Sequence, residues 1–196
     1  SIWLHQCSRH SRIELSMGSH LTVSDGIPVK LMNSQGYPTL TTTFHAQAGK
    51  TVTLDKLVTV FTSRDTATPT PAAQQKLAQL PSYETLLIDH VAAWEEVWQA
   101  CDVVIEGDAK AQLAIRYNLF QILAAAPRHD DRVSIPAKTL SGFGYRGHVF
   151  WDTEIFLVPF LTYTQPTVAR NLLTYRYHTL SGARCKAHEA GYEGAM

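Results

Sequence analysis

The sequence predicts an α+β protein, strands first and helices after. Three observations carry this: apolar and polar residues alternate over 13–62, helical spacing takes over from Thr70, and an aperiodic stretch at 127–150 interrupts the helices. Within the first region, patterns such as Ile13-Leu15-Met17 and Val52-Leu54, with turn signals at Asp25-Gly26 and Ala48-Gly49-Lys50, give about four short antiparallel strands. Four strands with Thr-rich faces seldom stand alone, so they read as the end of a larger β-sandwich.

The helical half begins with capping signals. Thr70 is placed to cap a helix with Pro71 at its first position, and Ser82 to cap a second. In that second helix Tyr83, Leu87, His90/Val91, Trp94 and Val97/Trp98 fall on one stripe, with the two tryptophans read as packing. Val103-Val104-Ile105 reads as a short strand leading to Asp108, the N-cap of a helix to about Ala126. That helix carries Leu113, Ile115, Tyr117, Leu119, Phe120, Ile122 and Leu123 around most of its circumference, which predicts burial on several sides. Beyond the aperiodic stretch come a helix over about 153–163 bent at Pro159, one from Pro166 to about Leu180, and a short one over 183–190 ending at Gly191.

Composition excludes several functions. The 196 residues hold 17 basic and 17 acidic side chains, without the basic excess of a nucleic-acid binder. No apolar run reaches a membrane span and no signal peptide is visible. Cys7, Cys101 and Cys185 are scattered and odd in number, favouring a reduced, cytoplasmic protein over a disulfide scaffold. Residues 109–196 hold ten Lys/Arg and six Asp/Glu, against seven and eleven over 1–108, a lean that suits an anionic ligand in the second part.

The chemistry concentrates at 144–154, Gly-Tyr-Arg-Gly-His-Val-Phe-Trp-Asp-Thr-Glu, where three aromatics, a histidine, an arginine and two acids share eleven residues. A pyranose offers apolar C–H faces to aromatic rings and hydroxyls to charged acceptors, so this mixture suits a sugar site. Gly142-x-Gly144-x-x-Gly147-x-Val149 also fits phosphate-loop patterns, but 135–139 makes a poor preceding strand and no Lys occurs between Val149 and Cys185. The glycines fit a tight turn close to a ligand instead. His148-x-x-x-Asp152-x-Glu154 and His5-x-Cys7-x-x-His10 lack zinc spacing, and no metal is expected. Each residue also has a plainer reading: Trp151 as core, Asp152 or Thr153 as a helix cap, and Arg128-His129-Asp130-Asp131-Arg132 as a salt-bridged loop.

Three blocks in order, the run at 144–154, Ala-Arg-Asn-Leu-Leu-Thr-Tyr-Arg-Tyr at 169–177 and Ala-Gly-Tyr-Glu-Gly-Ala at 190–195, resemble glycoside hydrolase family 65. That family holds maltose, kojibiose, nigerose and trehalose phosphorylases. The likeness extends back through Ile105-Glu106-Gly107-Asp108 to the Trp94-x-x-x-Trp98 helix. It implies the end of an N-terminal β-sandwich over 1–65, a helical linker over 66–100, and over 101–196 the first helices of an incomplete (α/α)6 catalytic barrel.

The resemblance further implies that Trp151 and Asp152 belong to the pocket for the non-reducing glucose, with Tyr145, Arg146, His148 and Glu154 as candidates for the pocket or for positions behind it. It implies an inverting phosphorylase that converts an α-linked glucose disaccharide to β-glucose 1-phosphate, with inorganic phosphate as co-substrate, no cofactor, and an intact parent that could be a homodimer. The general-acid glutamate and the phosphate-binding residues are expected beyond Met196. The chain is therefore expected to be a fragment, inactive alone and prone to associate through exposed apolar surface. Two other readings stand beside this one: a family hydrolase, trehalase-like or kojibiose-cleaving, and a non-catalytic sugar-binding protein.

Overall fold

Alternating sequence becomes five antiparallel strands in the computed structural model, which describes residues 1–34, 36–141 and 144–196: β1 (Ile2–Cys7), β2 (Glu14–Val23), β3 (Val29–Ser34), β4 (Tyr37–Thr42) and β5 (Leu54–Thr62). The four strands expected over 13–62 are β2 to β5; β1 went unrecognised because Ile2-Trp3-Leu4 is a continuous apolar run without alternation. Helices follow: α1 (Pro69–Ala78), α2 (Tyr83–Cys101), α3 (Ala109–Ala125), α4 (Val158–Thr164) and α5 (Pro166–Glu189). The chain divides into two compact units, Ser1–Ala92 and Ala93–Met196.

In the first unit β1, β2 and β5 form one sheet with β2 central, and β3 and β4 form a separate hairpin. Leu4 stands opposite Met17, and Met17 opposite Val60. The helix α1 packs on β2 and β5, burying Ala73 and Leu77. Of the buried polar groups there, Thr59 and Ser16 are bonded, while Ser19 Oγ is buried without a hydrogen-bond partner. The Thr59 hydroxyl donates to the Ala73 carbonyl at 2.9 Å, and Ser16 Oγ lies 2.6 Å from Thr70 Oγ1 and 3.0 Å from His5 Nδ1. Thr70 therefore ties helix to sheet and does not cap α1. The helix starts one proline earlier, at Pro69, whose fixed φ and missing N–H suit a first turn.

The second unit has the larger core. Cys101, Leu119, Leu123, Ala126, Ile135, Leu161, Val168, Ala169 and Leu172 form one buried cluster, with Trp94 and Trp98 packed against it. Those rings lie 5.8 Å apart, and Trp94 is 5.1 Å from Phe120.

Several expectations fail for local reasons. Val103-Val104-Ile105 is no strand: the Gln112 amide accepts from the Ile105 N–H at 2.6 Å and donates to the Val103 carbonyl at 2.8 Å, replacing a ladder partner. Asp108 does cap α3, accepting from Lys110 and Ala111 N–H at 3.0 Å each. Burial of α3 is one-sided, however. Leu119 and Leu123 are buried while Leu113, Tyr117 and Phe120 are exposed, because elements of this unit pack along one flank. Residues 166–189 form one helix where two were expected, since Gly182 costs only about 1 kcal/mol in a helix interior and the turns on both sides carry it. The helix ends at Gly191 (φ +82°), where Tyr192 N–H bonds the Ala187 carbonyl and Gly191 N–H that of His188.

Candidate functional site

The stretch over 127–150 contains no strand or α-helix among its described residues, so its backbone polar groups need partners from elsewhere. Helix α5 supplies partners for the carbonyls at the two ends of the stretch. Asn171 Nδ2 donates to the carbonyls of Pro127 at 2.8 Å and Arg128 at 3.2 Å, and His178 Nε2 lies 3.4 Å from Asp131 Oδ1. In the mixed-charge run, Arg128 turns back to the Leu123 carbonyl and Asp130 accepts from the Arg132 N–H. Further along, Ile135 is fully buried and its carbonyl accepts from the buried Thr153 hydroxyl at 3.1 Å.

The turn before the acidic pair is strained. Tyr145 (φ 57°) and Arg146 (φ 51°) are consecutive non-glycine residues in the left-handed region, followed by Gly147 at φ +75°. Each non-glycine residue so held costs on the order of 1–2 kcal/mol, and such outliers cluster at functional sites. The tight turn expected of the glycines is shared with these two residues. Gly147 does adopt positive φ, but Gly144 does not, and its missing side chain makes room for Lys138, whose Cγ would lie 3.0 Å from a Cβ there. Gly142 lies outside the described residues. His148 N–H closes the turn on the Tyr145 carbonyl at 2.9 Å, and the Tyr145 ring meets Phe150 edge-on at 5.5 Å.

Trp151 is 66% exposed, so it is not core, and Asp152 is also exposed. Nor does Asp152 cap the helix that follows. Its backbone is helical (φ −53°, ψ −34°) and its carboxylate makes no cap bond, while the Thr153 hydroxyl is committed to Ile135. Residues Thr153–Leu157 form a π-helical turn in which Val158 N–H bonds the Thr153 carbonyl. Pro159 offers no N–H to the Ile155 carbonyl, which removes the tighter α-helical bond and favours this wider turn; π-turns recur at functional sites.

Glu154 is half-buried and engaged. Arg176 Nε and Nη2 donate to its two carboxylate oxygens at 2.9 and 2.7 Å, and Nη2 also donates to the Phe150 carbonyl at 2.8 Å. The hydrogen bonds it donates to Glu154 push the Arg176 pKa above its ordinary value, against partial burial. The structure thus gathers Tyr145, Phe150, Trp151, Asp152 and Glu154 at one loop-to-helix corner. Arg146 and His148 are exposed beside it. Among the described residues no group of three or more His, Cys, Asp or Glu is arranged to hold a metal ion, and no helix is long and apolar enough to cross a membrane. The roles of Arg176, Thr153 and Asn171 were missed in the sequence. Two of them sit in the block 169–177, but nothing in a linear sequence says which carbonyl a side chain reaches.

The corner leaves the Trp151 ring and the Asp152 carboxylate exposed on a clamped backbone, groups that can contact a polyol. Residues 1–97 match the N-terminal domain of glycosyl hydrolase family 65 and residues 116–196 its central catalytic domain, and the chain belongs to this family. It is 45% identical to a kojibiose phosphorylase of Halothermothrix orenii over 73% of this chain and 20% of that protein. It is 44% identical to a nigerose phosphorylase of Lachnoclostridium phytofermentans (79% and 21%) and 39% identical to a 1,2-alpha-glucosylglycerol phosphorylase of Bacillus selenitireducens (76% and 19%). The chain spans about one fifth of the length of these relatives.

Proposed function

We propose that this chain is part of a disaccharide phosphorylase acting on an α-linked glucoside, and that Trp151 and Asp152 help to form its pocket for the non-reducing glucose. One observation carries this: the relatives just described, at 39–45% identity, are phosphorylases. Kojibiose and nigerose differ in the hydroxyl that carries the glucosyl group, glucosylglycerol in the acceptor, and all three share the glucosyl group itself. Pairing Trp151 and Asp152 with that shared group is compatible with all three relatives.

In this reading residues 1–65 end a β-sandwich, 66–100 link, and 101–196 open an (α/α)6 barrel. Asp152 accepts hydrogen bonds from glucose hydroxyls, each strengthened by its charge, and Trp151 supplies an apolar side. Tyr145, Arg146 and His148 border the pocket. Glu154, with both oxygens taken by Arg176, serves from behind it. The reaction breaks the glycosidic C–O bond as a carboxylic acid outside residues 1–196 protonates the leaving oxygen. Phosphate oxygen bonds to the anomeric carbon from the opposite face, giving β-glucose 1-phosphate without a cofactor.

The test uses the full-length protein with kojibiose and nigerose. Sugar release that requires phosphate and yields β-glucose 1-phosphate, identified by its anomeric NMR coupling, is the expected result; release in its absence means a hydrolase. In the same protein Asp152→Asn should lower kcat/KM about 30- to 1,000-fold, some 2–4 kcal/mol of transition-state stabilisation, with little change in melting temperature. Near-normal turnover in that variant would remove Asp152 from the pocket.

A further inference from the structure

We infer that Arg176 is a positioning residue for this site: from α5 it holds the chain on both sides of Trp151-Asp152 and so fixes where the Asp152 carboxylate stands. The inference rests on the placement of Asp152 in the glucose pocket. Its geometric basis is separate. One guanidinium spans a backbone carbonyl just before the pair, Phe150, and a side chain just after it, Glu154, through three hydrogen bonds of 2.7–2.9 Å.

The corner needs such a hold. Its upstream side is a left-handed turn at Tyr145 and Arg146, its downstream side is a π-turn, and Asp152 makes no cap bond that would orient it. Backbone bonds from Thr153, Glu154 and Ile155 N–H to the Phe150 and Trp151 carbonyls close the turn itself, and two side-chain ties anchor it, the Thr153 hydroxyl on Ile135 and the Arg176 clamp. A hydroxyl acceptor displaced by about 1 Å can cost on the order of 100-fold in rate. Only the planar fork of arginine reaches two carboxylate oxygens and a carbonyl together; a lysine ammonium at the same place is a point charge on a flexible stem. The Arg176 and Glu154 side chains are 36% and 22% accessible, so the pair is partly screened and contributes little to global stability. Its loss should therefore show in function more than in melting temperature.

The experiment compares Arg176→Lys, Glu154→Gln, Asp152→Asn and the Arg176→Lys/Asp152→Asn double variant in the full-length protein. Readouts are kcat and KM for whichever of kojibiose and nigerose it phosphorolyses, and melting temperature. Arg176→Lys is expected to lower kcat/KM about 10- to 100-fold with a melting shift of a few degrees. Glu154→Gln should lose less in the same direction. Because Arg176 acts through Asp152, the double variant should fall within about twofold of Asp152→Asn alone. Losses that multiply in the double variant would show that Arg176 acts elsewhere or on the whole fold, and overturn the inference. So would near-normal activity of Arg176→Lys beside an impaired Asp152→Asn. A near-normal Asp152→Asn instead sinks the pocket assignment on which the inference stands. Should Arg176→Lys fail to fold, Glu154→Gln, which keeps side-chain size, replaces it in the same cycle with Asp152→Asn.

Discussion

The strand unit and the helical unit satisfy their polar groups in different ways. Over 1–92 the strand backbones mostly pair with each other in ladders, and side chains such as Thr59 and Ser16 only tie α1 to the sheet. Over 93–196 two irregular segments lean on side chains: Gln112 holds Val103 and Ile105, while Asn171 on Pro127 and Arg128, Thr153 on Ile135 and Arg176 on Phe150 hold the stretch over 127–150. Irregular backbone can place side chains in directions no helix or strand allows, provided something outside it fixes it. The candidate site lies in the unit that invests its side chains this way.

The contrast can be broken by mutation, beginning with the core behind the irregular segment. Leu172 is fully buried in the cluster that includes Ile135, and Leu172→Ala should cost about 2–5 kcal/mol in urea denaturation of the chain. Leu31→Ala, at a 61% exposed position of the β3–β4 hairpin, should stay within about 0.5 kcal/mol. Comparable costs at the two positions would deny that the second unit holds the tighter core. Next in size is a test of the sheet. A Cβ on Gly18 would overlap the Trp3 ring on β1 and lie 3.0 Å from Thr59 Oγ1 on β5. Gly18→Ala should therefore destabilise by about 1–3 kcal/mol through overpacking, and an unchanged denaturation midpoint would mean the Trp3 ring swings away freely. The smallest effect belongs to the cap of α3. Asp108→Ala should lose about 1 kcal/mol and Asp108→Asn almost nothing, since either side-chain oxygen bonds the Lys110 and Ala111 N–H groups. Equal losses in both variants would assign the effect to charge and not to capping.

How far the sequence could be read differs between the two units for the same physical reason. Four of five strands, the Asp108 cap and the Gly191 terminus were legible because they depend on period-2 patterning, a capping oxygen and a left-handed glycine, all properties of neighbours in the chain. The strand expected over 103–105 failed because its partner turned out to be one glutamine side chain seven and nine residues away. The turn at 144–147 was legible as a turn, yet which residues take positive φ was not, because Tyr145 and Arg146 bear a strain that local preference opposes.

The sequence by itself determined that strands precede helices, since this follows from local spacing, and its three motifs carried the resemblance to the family. Only the tertiary structure decided that Asp152 does not cap its helix, that Thr153 and Glu154 face inward to Ile135 and Arg176, and that α5 holds both ends of the irregular segment. Those assignments depend on contacts 18 to 44 residues apart, whose partners are chosen by how the helices pack and not by which residues adjoin.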